Sequence, residues 1–211
     1  MLLSLTNGLD DRVSTEIGDL KVNLSFNNVL KWYELLDKND VALTKKLVIG
    51  WNIFLGADTL SFNDMEDYEV SADALKKITE YISQDPYQPE SQIGIGNNQP
   101  NIEPTKWFSY QQDAEAIYAS FLFDYGIDLI DSIDKMRWEK FRALFNNLSS
   151  KSPIMRIIDI RQANILDYQG QALADLTRAQ EYYSLEDSSV DTLNQQVGDM
   201  FTMLKGMAEQ K

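Results

Sequence analysis

Four of the five prolines in this chain fall within residues 85–106, DPYQPESQIGIGNNQPNIEPTK, together with Gly94 and Gly96. Proline lacks a backbone donor, and its ring clashes with the preceding helical turn, so no helix runs through such a stretch. The chain is therefore expected to divide into an N-terminal part (1–84), a loop or semi-rigid linker (85–106) and a C-terminal part (107–211).

Outside that segment the apolar spacing is mostly helical. The exception is RVSTEIGDLKVNLSF, Arg12 to Phe26. Gly18-Asp19 is a turn signal there, and Val22, Leu24 and Phe26 alternate with polar residues at the period of a half-buried strand. A lone hairpin is marginal and needs helices to lean on. Asn27 or Asn28 is a candidate cap for VLKWYELLDK. VALTKKLVIGWNIFLG is nearly continuous in apolar residues and closes at Gly56, the pattern of a helix buried on most sides. Ser71 is a candidate cap for ADALKKITEYISQ.

In the C-terminal part, Ser109 precedes a helix with Ala114, Ile117 and Phe121 on one face, and Gly126 stands where a left-handed residue would stop it. Asp131 or Ser132 is placed to start a helix carrying Trp138, Phe141, Leu144 and Leu148. Ser152-Pro153 opens another, and a helix with Leu173, Leu176 and Tyr183 on one side follows Gly170. The expected fold is mainly α: a helical domain with a small N-terminal β-hairpin.

Composition narrows the chemistry. Neither cysteine nor histidine is present. That removes disulfides, thiolates, histidine-activated nucleophiles and histidine metal sites, leaving oxygen-ligated Mg²⁺ or Ca²⁺ as the only plausible metals. The formal net charge of −14 repels phosphate backbones and anionic bilayers, so neither nucleic acid nor membrane is an expected partner. The N-terminal MLLSLTNGLDD has no basic n-region, and the most apolar run, Leu47 to Ala57, is too short to span a bilayer; a soluble intracellular protein is expected.

Each candidate for chemistry has a plainer explanation. The GIGNN cluster at Gly94 lacks the Lys-Ser/Thr ending of a phosphate loop. The run Asp58 to Asp73 contains six acids, and Asp64, Glu66 and Asp67 would have to hold Ca²⁺, but spacing and turn glycine both fail; a solvated acidic loop is expected instead. Asp124, Asp128, Asp131 and Asp134 are a conceivable acid/base group, but Asp128, Asp131 and Asp134 flank a helix start, where acids cap and complement the dipole. Trp138 and Phe141 are expected to pack in the core against Phe121 and Tyr118. No catalytic, cofactor or metal residue is assigned. The candidate partner-binding residues are Val190, Leu193, Val197, Met200, Leu204 and Met207, a narrow stripe at three- and four-residue spacing that serves either a partner groove or the chain's own core.

One set of motifs has a family resemblance. It comprises Asp113, Ile117, Tyr118, Ala119, Ser120 and Phe121; then Tyr125 to Leu129; then Trp138, Lys140, Phe141 and Leu144; then Ile160 and Arg161. This order resembles the gene-product-fifteen family of tailed-bacteriophage proteins, as does the opening EIGDLKVNLSFNNVLKWYELLDKND, with a departure at Phe26 to Asn28. The resemblance implies a gene just before the tape-measure gene of long-tailed phages. Proteins coded there look like tail assembly chaperones that coat the tape-measure protein, recruit tail-tube subunits and self-associate. They would act in the host cytoplasm and be absent from the virion, without enzymatic activity or cofactor. The alternative is a structural tail or connector protein retained in the particle.

Overall fold

The computed structural model describes residues 6–84 and 107–185. It begins with an antiparallel hairpin, β1 (Arg12–Thr15) and β2 (Gly18–Lys21), pairing Val13 with Leu20 and Thr15 with Gly18. Gly18 has φ 119°, which a side chain would strain. The hairpin leans on a helix, as its size requires: Val13 is buried, and Lys77 donates to the Ser14 carbonyl at 2.9 Å.

Seven α-helices follow among the described residues: α1 (Phe26–Asp37), α2 (Leu43–Phe54), α3 (Met65–Ile82), α4 (Ala114–Tyr125), α5 (Trp138–Phe145), α6 (Pro153–Gln162) and α7 (Gly170–Tyr182). The architecture is mainly α with a small N-terminal β-hairpin.

The alternation of Val22, Leu24 and Phe26 marks buried residues, yet β2 stops at Lys21. The extended backbone here finds a different partner. Ser25 bridges Arg137, the Phe26 amide donates to the Met136 carbonyl at 2.9 Å, and the Trp138 amide donates to the Leu24 carbonyl at 2.8 Å. Two segments more than a hundred residues apart in sequence are thus joined, and each runs directly into a helix.

Several expected helix starts move. α1 begins one residue after Ser25, and the asparagines lie buried in its first turn: Asn28 donates to the Ile53 carbonyl, and Asn27 pairs with Asp134. α3 begins at Met65 rather than after Ser71. Asp64 caps it by accepting from the Asp67 amide, and Glu66 and Asp67 occupy the first turn, where the helix dipole favours acids. The second half of the expected acidic loop is therefore helix, and Ser71 is buried in mid-helix, donating to the Leu47 carbonyl. α5 starts at Trp138, not near Ser132, because Asp134 has a left-handed φ of 59° and the bridge to Ser25 holds Arg137 extended.

α2 packs between α1 and α3. Lys46 is buried there, its ammonium donating to the Leu36 carbonyl at 2.9 Å, and burial lowers its pKa. Gly50 permits the close approach. A Cβ at that position would lie 2.5 Å from Cζ3 of Trp32 and 3.0 Å from Cδ1 of Leu75. Trp32 is pinned by its indole bond to Thr79 at 3.0 Å. Gly50→Ala is expected to destabilise by about 1–3 kcal/mol through overpacking, measured by urea denaturation.

The core draws on both sides of the proline-rich segment. At its centre, the Phe141 ring lies between Phe26 (4.9 Å, 6° between planes) and Phe121 (5.1 Å, 10°). Trp138, Tyr110 and Phe145 close around it. The Trp138 indole donates to the Ile82 carbonyl, and Arg142 donates to the carbonyls of Ile82 and Gln84, tying the end of α3 to α5.

Candidate interaction surface

α4 carries apolar residues on every side, but a helix on the surface of a small core can turn only one side inward. Phe121 and Ile117 face the core. Ser120 faces α6, where its hydroxyl accepts from the Ile154 amide at 2.9 Å. Leu122 and Phe123 are left outside, Phe123 with 63 % of its surface exposed.

The turn after α4 extends this outer face. Gly126, in left-handed conformation at φ 64°, returns its amide to the Leu122 carbonyl, while the Ile127 amide reaches the Phe121 carbonyl. Asp128 then accepts from the amides of Ile130 and Asp131 and from the Tyr118 hydroxyl at 3.0 Å. The Asp131 amide above all, with the Ile130 amide and the Tyr118 hydroxyl, holds the Asp128 carboxyl below its usual range despite partial burial. This clasp ties the turn that carries Ile130 to Tyr118, one helical turn before Leu122 on α4. Ile130 is 66 % exposed, and Ile133 follows it in the same run of turns.

Three of the four aspartates of this region are turn and loop clamps, and none of the four is the cap of α5. Asp124 accepts from the amide and hydroxyl of Ser149, both at 2.7 Å, and Asp134 exchanges bonds with Asn27. The described residues contain no grouping of three or more acids that would hold a metal ion, and no helix among them is long and apolar enough to cross a membrane.

Two charge networks with buried acids brace the scaffold. Arg161 grips Asp113 through two bonds of 2.7 and 2.8 Å, both side chains being almost wholly buried, and also donates to the carbonyls of Trp107 and Tyr183. It thereby joins α6 to the start of α4 and the end of α7. Glu139, also buried, accepts from Arg137 and from the Tyr81 hydroxyl at 2.7 Å. Burial and the Glu139 partnership push the Tyr81 phenol up to about 12.

A second apolar run lies toward the end of the described chain. α7 has no fully buried residue; Leu173, Leu176 and Tyr183 are half-buried on its inner side. Leu166 and Tyr182 are each more than four-fifths exposed. The stripe Val190, Leu193, Val197, Met200, Leu204 and Met207 lies outside the described residues, as does the proline-rich segment.

Residues 9–185 match the family described as Bacteriophage Gp15 protein. The chain belongs to that family. The match covers the hairpin and α1 to α7, and it ends before Val190. No curated protein and no solved structure matches the chain. The outer face of α4, by contrast, lies within the shared region. Sequence reasoning placed Phe121, Trp138 and Phe141 in the core, where they lie, and did not single out this face. The available signal was a helix too apolar all round for one buried side.

Proposed function

We propose that this chain is a tail assembly chaperone, a non-catalytic binding protein that holds the tape-measure protein soluble and helps recruit tail-tube subunits. The reading is carried by membership of the Gp15 phage family. The surface is consistent with it: large apolar side chains stand on the outside of a braced helical scaffold. Such a surface suits a long helical partner better than a small molecule. The charge of −14 would keep a coated apolar partner dispersed. The site of action is the host cytoplasm, with the protein absent from the finished particle.

Co-expression tests this. The tape-measure protein of the same phage is expected to be insoluble alone, and soluble and co-purified when this chain is present. Unchanged solubility with no complex would overturn the reading. Mass spectrometry of purified virions is expected to find the chain absent; stoichiometric presence would make it a structural component instead.

A further inference from the structure

We infer that the outer face of α4 and the turn after it, centred on Leu122, Phe123, Ile130 and Ile133, receives an amphipathic helix whose apolar stripe is flanked by lysine or arginine. The inference deepens the chaperone reading and rests on it only for the identity of the natural partner.

The apolar centre comes from the exposure of these four side chains on one helix and one run of turns. The charge of the partner comes from the acids on the segment that carries them. Residues 107–134 contain Asp113, Glu115, Asp124, Asp128, Asp131 and Asp134 and no lysine or arginine at all. Arg161 neutralises Asp113. The bonds that Asp124, Asp128 and Asp134 accept come from amides, hydroxyls and an amide side chain, which leave their negative charge in place. Glu115 and Asp131 are exposed. Lys135 is the next cation along the chain, its ammonium on the Asp131 carbonyl.

Exposed apolar side chains on a segment of this sign select their occupant. A second copy of this chain would set one acidic segment against another, and an acidic helix would do the same. A helix with basic flanks gains at these acids while its apolar residues cover Phe123 and Ile130. The face is also fixed in advance. Gly126, the Asp128 clasp and the Ser120–Ile154 bond hold α4 and its turn in place, so little ordering remains for the moment of binding.

The test uses the full chain and two synthetic helical peptides with leucines at heptad spacing, one flanked by lysines and one by glutamates. Binding is read by fluorescence anisotropy over a salt series, with thermal melts confirming that each variant folds. The lysine-flanked peptide is expected to bind and the glutamate-flanked one not. Phe123→Ser/Ile130→Ser is expected to weaken binding by about tenfold or more. Glu115→Gln/Asp131→Asn is expected to weaken it and flatten its salt dependence. Glu69→Gln/Glu80→Gln on α3, a control for general acidity, is expected to leave it unchanged.

Equal binding of the two peptides overturns the inference. So does undiminished binding by the Phe123/Ile130 variant, or a loss in the α3 control as large as that of Glu115→Gln/Asp131→Asn. Co-expression with the tape-measure protein separates this face from the function. If the tape-measure protein co-purifies equally with the wild type and with Phe123→Ser/Ile130→Ser, the chaperone reading stands and the face is wrong. If the lysine peptide binds this face and the tape-measure protein fails to bind the wild type, the face stands and the chaperone reading falls.

Discussion

Phe141→Ala is expected to lower the stability of the fold by about 3–5 kcal/mol, the range for removing a large side chain from a packed interior. Three features place it in that range. The ring is almost wholly buried, it is stacked between Phe26 and Phe121, and three further aromatic rings stand against it. The residues on its two faces come from α1 and α4, on opposite sides of the proline-rich segment. The cavity would therefore loosen contact between the two halves, with little scope for collapse within either one. Urea denaturation followed by tryptophan fluorescence measures this directly. A single transition shifted to lower urea is expected. A loss under about 1 kcal/mol would show that Phe26 and Phe121 close on each other, and that the stack is not the centre of the core.

The same residue shows what could and could not be read from sequence. Its burial was legible, since Trp138 and Phe141 share a helix face and helical aromatics of this density belong to a core. Its partner Phe26 was not. The alternation through Phe26 reads as a hairpin strand, and only the folded chain shows that Leu24 to Phe26 pair with Met136 to Trp138. Pairing over such a distance leaves no local pattern. Helix ends marked by backbone chemistry were legible: Gly126, left-handed, stops α4, and Pro153 opens α6. Helix starts that depended on a side-chain cap were less so, because serine, asparagine and aspartate have tertiary uses that outcompete capping. Ser71, Asn27 and Asn28 all look like caps, and each is spent on a carbonyl or side chain of another element. The exposed face of α4 was obscured by the composition that makes it interesting, because an apolar residue in an apolar stretch gives no sign of which side it will face.

Arg137→Met is expected to remove about 3 kcal/mol at neutral pH and to reverse the pH dependence that Glu139 gives the fold. In the wild type, burial pushes the Glu139 carboxyl up, but hydrogen bonds from Arg137 and Tyr81 and the guanidinium charge more than offset it, so the carboxyl titrates below its ordinary value of 4.5. A carboxyl lowered by folding stabilises fully above that ordinary value, and its contribution is lost as pH falls through the lower, folded value. With methionine at 137, burial faces only the Tyr81 bond and the bond from Glu139's own amide, and the carboxyl is expected to rise above 4.5. A raised carboxyl stabilises fully below its unfolded value and loses that contribution as pH rises through the folded one. Between neutrality and about pH 5, the wild type should therefore change little on account of Glu139, while the variant regains stability as Glu139 takes up a proton. Urea denaturation of both proteins at the two pH values isolates the effect, since every other titrating group common to both cancels in the difference. The gap should narrow toward acid. Arg137→Met/Glu139→Gln keeps an acceptor for Tyr81 without the charge, and is expected to be more stable at neutral pH than Arg137→Met alone and to show no such narrowing. A gap that stays constant with pH would mean that Arg137 stabilises through its bond to the Asp10 carbonyl and its packing, with the charge of Glu139 carried by solvent.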